Sequence, residues 1–300
     1  MTDLVIRPLE PGESALFLSL PDPGLVGVAS IGRDYREFLD KKEYRPEWSW
    51  VALRDGEVVA RAAWWAGPDD TEPHTLDWFD FTDPSAGEAL LRAVPWRTEI
   101  CLILPAGWRD NPEVRVAAQA RIDVATSAGM KPLVERLRYL WKPEDGLPQR
   151  TERLVYRLEP DDTVIFDVLR RVHSDTLDAH ALRATAEKDL DAAAQEDLDF
   201  LHWMPSPREW WRLAYTPEGD LVGITVPGAN YGGPVIGIVG VVPEARGHGY
   251  GYDLLLEATH LLVEAGATQV VAETDATNTP MAKAFARAGY PITQERVYLV

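Results

Sequence analysis

The sequence predicts an α/β chain (mixed α+β) of two tandem domains, each a mostly antiparallel mixed sheet flanked by helices. Three observations predict it. A polar stretch, "WKPEDGLPQRTERL" (141–154), sits midway along the 300 residues with two prolines and a glycine, as a linker would. The halves on either side repeat one order of strand and helix patterns. A glycine-rich turn separates strand periodicity from helix periodicity only in the second half. The expected domains are residues 1–145 and 153–300.

Each half opens on a short strand, "LVIRPLEP" or "LVYRLEP", followed by helical sequence. Each then shows a hairpin, "WSWVALRDGEVVARAAWW" or "WWRLAYTPEGDLVGITVP", turned by Asp55-Gly56 or by Glu218-Gly219-Asp220. A further strand follows, "HTLDWFDFT" or "PVIGIVGVVP". After it come a helix, the strand "EICLILP" or "TQVVAETD", another helix and a closing strand.

Composition excludes several classes. Acidic residues outnumber Lys and Arg 48 to 30, a net charge of −18, which repels nucleic acid and anionic membranes and tolerates a cationic small molecule. One cysteine, Cys101, lies in an apolar run and reads as core; it permits no internal disulfide. Six scattered histidines form no metal-ligand pattern, so no metal is expected. The opening "MTDLVIRPLEPGE" is no signal peptide, and no run reaches a membrane span. A cytoplasmic monomer or homodimer is expected, without nucleic-acid or membrane partners.

The chemistry concentrates in "VVPEARGHGYGYDLL" (241–255). Gly247, Gly249 and Gly251 lie between an apolar strand and a helix whose apolar positions are Leu254, Leu255, Ala258, Leu261 and Leu262. A helix N-terminus leaves N–H groups unpaired, and glycines let a ligand approach the backbone. Together they suit phosphate. The loop is neither a Walker loop, lacking Gly-Lys-Ser/Thr, nor a dinucleotide fingerprint, lacking the ribose-binding acid.

These residues resemble the GCN5-related N-acetyltransferase (GNAT) superfamily. Its acyl-CoA motif, Arg/Gln-x-x-Gly-x-Gly/Ala, is matched by Arg246, Gly249 and Gly251, with Gly247 a common extra. "TDATNTPMAKAFARAGY" resembles its second signature, from Asn278 to Gly289-Tyr290. The tandem layout, with one active C-terminal domain, is similar to that of mycothiol synthase. The first half looks like a degenerate copy without cofactor: its "FTDPSAGEALLRAV" carries Asp83, Gly87 and Glu88 and no basic residue before the helix.

The resemblance implies acetyl-CoA, or another short acyl-CoA, as cofactor. Backbone N–H groups of Gly247, His248, Gly249, Tyr250 and Gly251 would hold its pyrophosphate, and the strand edge Ile238, Val239, Gly240 and Val241 its pantetheine arm. A strand N–H near Val239 would polarise the acetyl carbonyl. Gly237 and Gly240 relieve crowding there or mark a bulge. Arg246 contacts phosphate or pairs with Glu244. His248 faces solvent or the adenosine 3′-phosphate, and Tyr250 flanks the cofactor or packs on the helix. Asn278 caps its helix and sits beside the pantetheine.

Two departures stand out. Many members place a Glu near position 235, but no acid occurs between Asp220 and Glu244, so Glu273 or Asp275, on one face of the next strand, becomes the candidate base. Many carry a Tyr that protonates the thiolate where Phe285 stands here. The acid-rich run from Glu187 to Asp199 is a solvated helix face or a mouth for a cationic amine. His180, His202, Trp203 and Tyr231 are candidate substrate contacts. The expected function is N-acetyltransfer to a primary amine of a small molecule. The alternatives are a silent acyl-CoA-binding module and a peptide or protein acetyltransferase.

Overall fold

The computed structural model describes residues 3–21, 24–230 and 232–300. In chain order its main elements begin with β1 (Val5–Pro8), α1 (Ser14–Phe17), α2 (Tyr35–Asp40), β2 (Ser49–Arg54), β3 (Glu57–Trp65), β4 (Thr75–Phe81), α3 (Pro84–Ala93), β5 (Glu99–Pro105), α4 (Pro112–Ser127) and β6 (Pro132–Trp141). They continue with β7 (Val155–Leu158), α5 (Asp162–His173), α6 (Ala179–Glu187), α7 (Leu190–Trp203), β8 (Arg212–Tyr215), β9 (Leu221–Asn230), β10 (Gly233–Val241), α8 (Tyr250–Glu264), β11 (Val270–Asp275), α9 (Thr279–Arg287) and β12 (Ile292–Leu299).

The chain divides into two compact units, Met1–Glu135 with Gln294–Val300, and Arg136–Thr293. In the first, the strands run β1-β2-β3-β4-β5-β12. Pairing is antiparallel except between β4 and β5. The β2–β3 turn takes positive φ at Asp55 (53°) and Gly56 (83°), as a tight hairpin requires. One sheet face buries Trp64, Phe79 and Leu102 with Leu90 of α3 and Ala118 of α4. The other buries Phe17, Tyr35, Tyr44 and Trp78 together with Cys101, the core position expected of that cysteine.

The second unit repeats the plan with order β6-β11-β10-β9-β8-β7 and one parallel pair, β10–β11. One face packs Leu213, Ile224 and Val226 on α5 and α7 through Ile165, Leu169, Leu198 and Leu201. The opposite face packs Tyr139, Trp141 and Ala272 on α8 and α9 through Leu255, Leu256 and Phe285. Among the described residues no helix is long and apolar enough to cross a membrane.

Two features differ from the contiguous division at 1–145 and 153–300. Arg136–Trp141 of β6 belongs to the second unit, and Gln294–Leu299 of β12 closes the first. The pairings explain the exchange. Against β11, Arg138 lies opposite Glu273 and Arg136 opposite Asp275, matching charge across the ladder. Against β5, Val297 lies opposite Leu102 and Leu299 opposite Ile100. The expected linker is also not a free tether. Arg150 binds Glu257 (2.7 Å) and Glu264 (2.5 Å), Thr151 binds Asp253, and Arg153 binds Asp253 at 2.8 Å, fastening the segment along α8.

Candidate functional site

The glycine loop places α8 with its N-terminus uncapped. Gly249 is the N-cap at φ 76°, no side chain caps the helix, and Gly247 also has positive φ, 83°. An L-residue adopts this region only at a cost, so both positions call for glycine. The N–H groups of Gly247, His248, Gly249, Tyr250 and Gly251 have no hydrogen-bond acceptor among the described residues. A Cβ at 247 or 249 would meet nothing within 4 Å, so the space before the loop is open. Open donors at a helix N-terminus are the arrangement that can cradle an anion.

Arginine holds the cradle in shape. Arg153 donates to the His248 carbonyl (2.8 Å), pairs with buried Asp253 (2.8 Å) and lies 4.7 Å from the Tyr250 ring centre. It brings positive charge to the loop while neutralising the acid in the helix's first turn. Sequence reasoning missed it, since an arginine in a polar linker carries no pattern. Arg246, expected at phosphate or Glu244, does not pair with Glu244. Its guanidinium donates to the carbonyls of Val172 (2.7 Å), Ser174 (2.9 Å), Asp175 (2.9 Å) and Val241 (3.1 Å), tying the end of α5 to the loop. Glu244 lies by Arg171 instead (3.4 Å).

The strand before the loop offers a second row of free groups. β10 and β11 register only at Val235 and Val271, so beyond that point they diverge. The Val242 N–H bonds the Val222 carbonyl (3.0 Å) on the β9 side. Alternation then turns the backbone groups of Val241 and Val239 away from β9, toward the divergence. That orientation suits Val239 for the expected carbonyl contact. The register shifts between Ile236 and Ile238, so Gly237 sits in a bulge; a Cβ there would lie 2.6 Å from Met204 Cε and 2.7 Å from the Val226 carbonyl. A Cβ at Gly240 would lie 2.6 Å from Val172, so that glycine admits α5.

The remaining residues separate into groups. Asn278 caps α9, accepting from the Met281 N–H (3.3 Å). His248 is exposed, its ring 5.6 Å from that of Tyr250. Phe285 is buried between Tyr139 (4.2 Å) and Tyr290 (5.3 Å). Glu273 and Asp275 share a sheet face, as alternation predicts, and both are ion-paired. Glu273 takes Arg138 Nη1 at 2.6 Å and keeps 17% side-chain exposure. Asp275 has none, and both its oxygens are taken, by Arg136 (2.8 Å) and the Ala179 N–H (2.7 Å). His180 follows Ala179 in the first turn of α6, near these acids. His202 pairs with Asp162 (2.9 Å) at the start of α5. Val172 packs on Gly240 at the other end of that helix, roughly 15 Å away by helical rise, so His202 is remote from the strand divergence. Trp203 is exposed beside Phe200 on α7. Tyr231 lies outside the described residues.

The first unit treats the matching places differently. α3 is capped by Asp83, whose carboxylate accepts from the Ser85 N–H (2.9 Å) and pairs with Arg54 (2.5 Å). The helix N-terminus therefore carries its own anion. Gly87 admits an aromatic ring, since a Cβ would lie 3.0 Å from Phe81. The space lined by Leu76, Phe79, Ile100, Leu102 and Arg121 is a cavity of about 10 Å³, room for one water at most.

Comparison with known proteins bears on the fold. The acetyltransferase (GNAT) family model matches residues 176–290. A mycothiol acetyltransferase from Arthrobacter sp. (strain FB24) is 39% identical over 84 residues, 26% of this chain and 26% of that protein. The match thus spans about a quarter of the curated relative's length. A GCN5-related N-acetyltransferase from Sphaerobacter thermophilus aligns over 99% of this chain and 94% of its own, with TM-score 0.56 and 15% identity. A tandem GNAT protein from the clavulanic acid biosynthesis pathway aligns over 99% and 98%, with TM-score 0.51 and 17% identity. At such identities the likeness is one of fold.

Proposed function

On a chain that carries the GNAT acetyltransferase fold in tandem, we propose that the second unit binds acetyl-CoA, or another short acyl-CoA, and transfers its acyl group to a primary amine of a small molecule. One observation carries the reading: the unpaired N–H groups of Gly247 to Gly251 stand at the end of a strand whose edge, Ile238 to Val241, lies along a divergence from β11. A pyrophosphate bound to a thioester-bearing arm has that shape and that need for donors.

In this reading the Val239 N–H stabilises charge on the thioester oxygen as the amine attacks. Glu273 accepts the amine's proton through water, because it is the β11 carboxylate that keeps exposure. The net acidity of the chain, −18, favours a cationic amine. The first unit takes no cofactor, its helix being capped by Asp83 and its strand divergence filled.

Gly249→Ala tests the loop. It puts a methyl group before the cradle at φ 76°, and acetyl-CoA should bind at least about tenfold more weakly, roughly 1.4 kcal/mol, by calorimetry. Unchanged affinity would remove the loop assignment. Wild-type protein should bind one acetyl-CoA per chain, and a stoichiometry of two would refute the reading of the first unit.

A second reading is a binding module without catalysis. The ion pairs on Glu273 and Asp275 and the apolar Phe285 favour it. Free-thiol release from acetyl-CoA across a panel of primary amines separates the two: acceleration by any amine refutes the silent module.

A further inference from the structure

The second unit buries two tyrosines on either side of Phe285. Tyr290 is satisfied, its hydroxyl 2.8 Å from Thr259 Oγ1. Tyr139 is not. Its residue is 1% exposed, and its hydroxyl has no hydrogen-bond partner among the described residues. A buried hydroxyl without a partner is costly, and phenylalanine would fill the same space without that cost. Tyr139 lies opposite Ala272, whose methyl leaves room for a ring beside β11. Its apolar cluster includes Ile236 of β10, with Val239 packed against it, and both follow Val235, where β10 is in register with β11. Burial pushes the phenol up to about 12, so the group keeps its proton through neutral pH and has one to give.

Resting on the acyltransfer reading above, we propose that Tyr139 is the proton donor to the sulfur that leaves the acyl group. The amine nitrogen forms its bond to the thioester carbon, and the carbon–sulfur bond breaks. The sulfur takes the proton of Tyr139 Oη, and water returns one to the phenolate. The amine's own proton leaves by Glu273 and water. This gives the departing thiolate a donor where Phe285 has none. It comes from β6, a strand that precedes the rest of the second unit in the chain.

The test compares wild type with Tyr139→Phe, which keeps the ring stacked on Phe285. In the ligand-free protein the variant should melt no lower than wild type, because it loses only an unpaired hydroxyl. Its kcat should fall by about 10²-fold, the low end for general acid–base groups, with the KM for acetyl-CoA little changed. Calorimetry gives a readout independent of turnover. Wild type should bind CoA about three- to tenfold more tightly than desulfo-CoA, and the variant should bind the two alike. A lower melting temperature would make the hydroxyl structural and overturn the proposal. So would an unchanged kcat with undiminished preference for CoA. Wild-type protein that binds no acetyl-CoA would overturn the acyltransfer reading, and this role with it.

Discussion

Asp275→Ala should destabilise the second unit by about 3–5 kcal/mol, the usual cost of breaking a buried ion pair from one side. The Asp275 side chain is fully buried, and its two oxygens are used by Arg136 Nε (2.8 Å) and the Ala179 N–H (2.7 Å). Arg136 also binds Asp178, which caps α6 by accepting from the Ala181 N–H. One carboxylate therefore joins β11, β6 and the start of α6. Alanine leaves the half-buried Ala179 N–H without this acceptor and gives Arg136 one partner fewer. For a unit of this size the melting temperature should drop by about 10 °C or more. Asp275→Asn keeps one acceptor and should lose less. In either variant, turnover per folded molecule at low temperature should stay near wild type, since a strut rather than a base has been removed. A urea midpoint equal to wild type would show that the network does not bear on stability. A stable variant with turnover lost would return Asp275 to the chemistry.

The glycines of the loop were legible because the backbone demanded them. Positive φ at Gly247 and Gly249 leaves few alternatives, and the change from strand to helix period marks where the loop must lie. The element order was legible for the same reason: both periods are local. The exchange of β6 and β12 was not, because pairing across a sheet is chosen between strands more than 100 residues apart. Arg136 opposite Asp275 becomes a reason only once β6 and β11 are neighbours. Arg246 shows a related limit. The sequence places a cation beside a phosphate-type loop, but the four carbonyls that occupy it come largely from the end of α5, which no spacing rule connects to it. Arg153 and Tyr139 fail differently. A linker arginine and a strand tyrosine are ordinary, and only the His248 carbonyl in one case and an unpaired buried hydroxyl in the other set them apart.

The two units differ most in what stands at a helix N-terminus after the strand preceding it. In the first, Asp83 supplies a carboxylate to the α3 N-terminus. In the second, Gly249 supplies nothing, and the donors stay open. The two units thus have one helix end satisfied by its own side chain and one that no side chain caps, and it is on the second that the acyl-CoA reading proposed above rests.

Glu273→Gln is expected to lower kcat/KM at neutral pH by about 10²-fold or more, the range for loss of a general base. β10 offers no carboxylate, Asp275 is sealed, and Glu273 alone on this face of β11 combines a carboxylate with partial exposure. Glutamine preserves the volume and an acceptor for Arg138, so the 2.6 Å contact can persist while the charge is lost. Because that pair is partly exposed, the stability change should be small, about 1 kcal/mol or less. The affinity for acetyl-CoA should not change, since the cradle is built from backbone donors. The pH dependence carries the decisive sign. A base must be deprotonated to act, so wild-type kcat/KM should fall on the acid side, and in Glu273→Gln that limb should flatten while the residual rate follows the free amine. If the variant keeps both the wild-type rate and its acid limb, Glu273 is not the proton acceptor, and the amine loses its proton to bulk water before attack.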